Sequence, residues 1–107
     1  MDGKFLGKIT RAEFGVNRDY PFLYGLELTF ESDSLGVGTN ISVNISDNCK
    51  WGEPDTRDKA LGEQVLKVAS ILKDAKVSYV SQLVGKPVEV ELEHNTFKSF
   101  RILTEVL

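Results

Sequence analysis

The residues most able to do chemistry in this chain are a basic and aromatic set. Lys4, Lys8, Arg11 and Arg18 crowd its first part, beside Tyr20 and Phe22; Lys98 and Arg101 stand beside Phe97 and Phe100 near its last. Rings that stack on bases and cations that hold phosphates are how single-strand binders work. The competing account makes the rings core and the cations solvated. A formal net charge of -3 favours that account, because it gives no bulk attraction to a polyanion. Trp51, the only tryptophan, lies in a connector with Gly52 and Pro54. It fits core packing or a contact hot spot equally well. The candidate ligand- or partner-binding residues are therefore Arg11, Arg18, Tyr20, Trp51, Phe97, Lys98 and Arg101.

No residue set makes a catalytic or metal site. His94 is the only histidine, which leaves a metal cluster or a serine–histidine pair hard to build. In a turn it reads as a solvated residue. Cys49, the only cysteine, has Lys50 beside it but no base in sequence reach, so it reads as a structural thiol. Gly36-Val37-Gly38 lacks the following helix that a phosphate loop needs. Glu89, Glu91 and Glu93 alternate strictly, which marks a solvated strand face that also discourages edge aggregation. The expectation is a protein that is not an enzyme and uses no cofactor or metal.

These residues must be positioned by a small number of elements. Phe5 to Phe14 reads as a first strand, with a bulge near Thr10 or Arg11 because Ile9, Ala12 and Phe14 break the period of two. Asn17, Asp19 and Pro21 make a turn. Phe22 to Glu31 is the clearest strand: Tyr24, Leu26, Leu28 and Phe30 face one way and Gly25, Glu27, Thr29 and Glu31 the other. A third strand, Val37 to Ile45, turns Ile41, Val43 and Ile45 inward and Asn40, Ser42 and Asn44 outward. After a connector over Ser46 to Pro54, a helix starts at Asp55 or Thr56. Its apolar stripe is Leu61, Val65, Val68 and Leu72, with Ala69 and Ile71 beside them. Gly62 within it costs about 1 kcal/mol relative to alanine. Ser78 caps a short second helix holding Val80 and Leu83, and Gly85 ends it. Pro87 to Glu93 and Phe97 to Leu103 are the last strands, joined by a hairpin turn at His94-Asn95-Thr96.

The order is βββ-α-ββ, an α+β domain with an antiparallel sheet of about five strands and one main helix packed on it. An open sheet gives this order, and so does an OB-like barrel. The polar outward positions favour the open sheet. At 107 residues with 41% hydrophobic and 27% charged residues, the chain reads as one globular domain over 1–107, without repeats or linkers. Met1-Asp2-Gly3-Lys4 lacks the basic and apolar regions of a signal peptide. No apolar run approaches a membrane span. A lone cysteine suits a reducing compartment.

The segments Gly7 to Gly15, Asn44 to Trp51, Leu72 to Val77 and Asn95 to Glu105 resemble small uncharacterised proteins encoded by phages and prophages. The resemblance implies a viral origin and the bacterial host cytoplasm. It also implies an accessory role: an anti-defence inhibitor that binds a host protein, or a protein that sequesters a small nucleotide signal. Separately, Leu83 to Leu92 is similar to the fourth-strand entry of some phage single-strand-binding OB proteins. The alternative expectation is thus an OB-like module for single-stranded nucleic acid in replication or recombination, using Arg11, Arg18, Lys98 and Arg101 on phosphates and Tyr20 or Phe97 on bases. Homo-oligomerisation through a sheet edge is compatible with a chain this small.

Overall fold

A computed structural model describes residues 3–33, 35–46 and 56–106. It contains five strands, β1 (Gly3–Val16), β2 (Leu23–Glu31), β3 (Gly36–Asn44), β4 (Pro87–Glu93) and β5 (Thr96–Ile102), with the helix α1 (Thr56–Ala75) between β3 and β4. Short 3-10 turns cover Val80–Leu83 and Thr104–Val106. All strand pairs are antiparallel, and the sheet order is β3-β2-β1-β4-β5.

The long strand β1 organises the sheet. It pairs with β4 through Gly3 to Lys8 and with β2 through Lys8 to Val16. Where it changes partner, the register slips between Ile9 and Arg11. Thr10 is the extra residue of the bulge expected from the broken alternation, and bulges bend and twist a strand. A second bulge, which the sequence reading missed, falls between Glu91 and Leu92 on β4, opposite Lys98 on β5. It lets Phe97 and Phe100, three residues apart, both pack against the core.

The hydrophobic core lies between the inner sheet face and α1. Ile9, Leu26, Leu28, Phe30, Val88, Val90 and Ile102 supply the strands, Val68 and Ala75 the helix, and Leu83 the 3-10 turn. The helix stripe differs from expectation. Val65 is 58% exposed and Ala69 is exposed, while Gln64 is 4% exposed. The face turned to the sheet runs through Leu61, Gln64, Val68, Ile71, Leu72 and Ala75, a spacing of three and four that excludes Val65. Gln64 stands in a core position because its amide Nε2 donates to the carbonyls of Tyr24 (3.2 Å) and Ile41 (2.6 Å) on adjacent strands. These bonds offset the cost of burying the donor side of the amide, while Gln64 Oε1 is buried without a hydrogen-bond partner among the described residues. Gly25 makes room for the contact: a Cβ there would lie 2.0 Å from the Ile41 carbonyl oxygen and 2.4 Å from Gln64 Nε2.

The helix ends in a paired-bond motif. Lys76 has a left-handed φ of 58°, its N–H donates to Lys73 O, and Val77 N–H donates to Leu72 O. Ser78 does not cap the next turn. Gln82 does so instead, its Oε1 accepting from the N–H groups of Ser78 and Tyr79, both at 2.9 Å. His94 and Asn95 both have positive φ (54° and 63°), as a two-residue hairpin turn requires. The proposed helix start at Asp55 lies outside the described residues, and Thr56 is the first described helical residue.

The sheet is open. No ladder joins β3 to β5 among the described residues. The two edges nevertheless curl toward one another, with Cα atoms of β3 and β5 within 8 Å. Without a ladder between these edges, the sheet stops short of closing.

Candidate functional site

The antiparallel alternation determines what the two open edges present. Ile45 N–H donates to Phe22 O at 2.8 Å, so the odd-numbered residues of β3 bond to β2. The backbone groups of the even-numbered residues, Asn40 among them, therefore point away from β2. On β5, Leu103 N–H donates to Pro87 O at 3.0 Å, so Arg101 faces β4 and Phe100 faces away from it. Backbone donors and acceptors of Asn40 and Phe100 thus look into the seam between the edges.

That seam holds a cleft of about 300 Å³, lined by Thr39, Asn40 and Ile41 of β3, Lys67 of α1, and Phe97, Lys98, Ser99 and Phe100 of β5. Its aromatic wall is rigidly supported. Phe97 stacks on the fully buried Phe30, with centroids 5.7 Å apart and planes 8° apart, and Phe100 packs on the same ring at 4.8 Å. Thr39 and Ser99 bring hydroxyls and Asn40 an amide. Lys67 makes no ion pair among the described residues. Lys98 is engaged, its Nζ 3.3 Å from Glu93 and 3.6 Å from Glu91; the hydrogen bond to Glu93 and the nearby carboxylates hold its pKa above the ordinary lysine value.

Of the other cations singled out in the sequence, Lys4, Arg11, Arg18 and Arg101 each lie against a carboxylate, whereas Lys8 makes no ion pair among the described residues. Arg11 Nε bonds Glu13 Oε1, and its Nη2 is 3.4 Å from Glu27. Arg18 Nη2 is 2.8 Å from Glu13 Oε2. Arg101 is 3.3 Å from Glu89 and 3.1 Å from Glu105, and Lys4 is 3.9 Å from Glu89. The hydrogen bond to Arg11, with its positive charge and that of Arg18 nearby, holds the Glu13 carboxyl below its ordinary range; the bond to Glu13 raises Arg11 in turn. Bonds to Glu105 and Glu89 raise Arg101. The outer face is a lattice of opposite charges. An incoming phosphate would have to displace carboxylates from their partners.

The six candidates among the described residues therefore do not converge. Phe97 and Lys98 meet in the seam cleft. Arg101 lies in an adjoining groove with Lys4, Glu89, Glu91, Ser99 and Phe100. Arg11 and Arg18 share a recess of only about 50 Å³ with Glu13 and Glu27. Tyr20 sits in the β1–β2 turn, 56% exposed, its ring 6.0 Å from that of Phe22. Trp51, like Cys49, lies outside the described residues. The sequence reading missed Thr39, Asn40, Lys67, Ser99 and Phe100. One available signal was the composition of β3, GVGTNISVN, an edge strand without a charge or a proline to guard it.

Among the described residues, no group of three or more His, Cys, Asp or Glu is placed to hold a metal ion. None of the described helices is long and apolar enough to cross a membrane. Comparison with protein-family models, curated proteins and solved structures finds no match to this chain.

Proposed function

We propose that this chain is a non-catalytic phage accessory protein that works by binding a small ligand in the cleft between β3 and β5. The observation that carries this reading is the state of the polar groups. Lys4, Arg11, Arg18 and Arg101 are committed to carboxylates, whereas the cleft gathers strand-edge backbone, hydroxyl-bearing residues and Lys67 around a supported aromatic wall. Small-molecule sites combine apolar walls with a few convergent polar groups in this manner.

The charge lattice argues against the single-strand nucleic-acid reading, since polyanion binding draws its affinity from cations free to replace counterions. Fluorescence anisotropy with a labelled single-stranded oligonucleotide tests the choice. The expected outcome is no binding at low salt. Tight binding that weakens steeply with added salt would overturn the cleft reading in favour of the oligonucleotide module.

A host protein is the second partner class, favoured by one specific observation. Phe14, Val16, Tyr20 and Phe22 are all exposed at the β1–β2 end of the sheet. Aromatic side chains of this kind serve as interface anchors.

A further inference from the structure

Three features outside the outer-face lattice could carry a function. The exposed end at Tyr20 and Phe22 names no occupant. The groove of about 530 Å³ bounded by Leu6, Lys8, Glu31, Asp33, Pro87 and Leu103 is wide and open, and it sets one lysine beside two carboxylates, which select no single ligand charge. The seam cleft goes further, because its walls differ in kind and each selects a different part of a ligand.

Resting on the cleft-binding reading, we infer that the cleft takes a nucleoside monophosphate, its base against Phe97 and Phe100 and its phosphate at Lys67. Four observations meet in this assignment. A flat ring can lie on one face of the aromatic corner formed by Phe97 and Phe100, whose planes are 42° apart and which Phe30 holds in place from behind. Base–aromatic stacking contributes about 1–3 kcal/mol per base. The backbone groups of Asn40 and Phe100, outside any ladder among the described residues, offer donors and acceptors on both sides of the ring, which is what the hydrogen-bonding edge of a base requires. Lys67 projects from α1 at the rim with no ion pair among the described residues, so an anion can reach it without displacing a carboxylate of those residues. The volume also sets a limit: about 300 Å³ is at the small end of ligand sites, which suits one nucleotide and not a strand of them.

Backbone edges that read a base also explain why β3 carries no charge. A lysine or glutamate along that edge would guard it against aggregation but would crowd the ligand. Lys98 lies on the opposite rim, held by Glu91 and Glu93, where it offsets two carboxylates that would otherwise repel the phosphate.

The test is an NMR titration of the full chain with the 5′-monophosphates of adenosine, guanosine, cytidine and uridine, beside ribose 5-phosphate and the free nucleosides. At least one mononucleotide should saturate, shifting the Asn40, Ser99 and Phe100 amides. Ribose 5-phosphate and the nucleosides should each bind more weakly by about tenfold or more, since each lacks one set of contacts. Lys67→Glu, at an exposed helix position, should keep the spectrum of the folded protein and lower nucleotide affinity by about tenfold. If ribose 5-phosphate binds as well as the nucleotides, or if Lys67→Glu leaves affinity unchanged, the nucleotide assignment is wrong. If the mononucleotides are silent but other fragments shift the same amides, the assignment fails and cleft binding survives. If no fragment of a diverse library shifts them, both fail.

Discussion

At the scale of single residues, charge and shape have been settled by different partners. Glu13 is held by two arginines, Arg11 and Arg18, and their hydrogen bonds and charge draw its carboxyl pKa down. The sign of the consequence follows from linkage. A carboxyl lower in the folded than in the unfolded chain stabilises the fold above its unfolded value, and that contribution is lost as pH falls through the folded value. Because Glu13 and Arg11 are each largely solvated, the effect on stability is small. The titration itself is the better readout. Side-chain NMR should place Glu13 below the usual glutamate value of 4.5, and Arg11→Gln should return it toward that value. A Glu13 that titrates normally in the intact protein would mean that the outer-face cations are available to a phosphate after all.

At the scale of elements, much was legible and the exceptions have physical causes. Strict alternation in β2 reveals its two faces, and the broken alternation at Ile9, Ala12 and Phe14 points to a bulge near Thr10 or Arg11, where the register slip makes Thr10 the extra residue. The Lys98 bulge obeys the same logic. Phe97, Phe100 and Ile102 cannot share a face at a period of two, so an extra residue had to stand among them. Helix α1 was harder. Hydrophobicity placed Val65 inside and left Gln64 out, because the carbonyls that accept from Gln64 Nε2 belong to residues 40 and 23 positions away and carry no local signature. The cost expected for Gly62 stands in the structure. It is on the exposed side of α1, and a Cβ there would meet nothing within 4 Å. Gly62→Ala should therefore stabilise the protein by about 1 kcal/mol in urea unfolding, the difference in helix propensity without a packing penalty. A loss of stability would mean that this face of the helix is covered.

At the scale of the whole molecule, the decisive feature is a sheet that curls without closing. Two bulges bend its strands, β1 serves both halves, and the edges come near each other over a helix that reaches both. The seam could not be read from the sequence, because whether β3 and β5 join depends on twist summed over five strands. Closure would place the strand order in the family of small barrels considered at the outset; the open seam leaves unpaired backbone on both sides of a cleft. Native-state hydrogen exchange of the free protein tests that claim most directly. The Ile41 amide, bonded into the β2–β3 ladder, should exchange slowly, while the Asn40 and Phe100 amides should exchange near the rate of solvent-exposed groups. Slow exchange at both Asn40 and Phe100, matching that of Ile41, would contradict the account by showing the seam closed by a ladder and the proposed site occupied by the protein's own backbone.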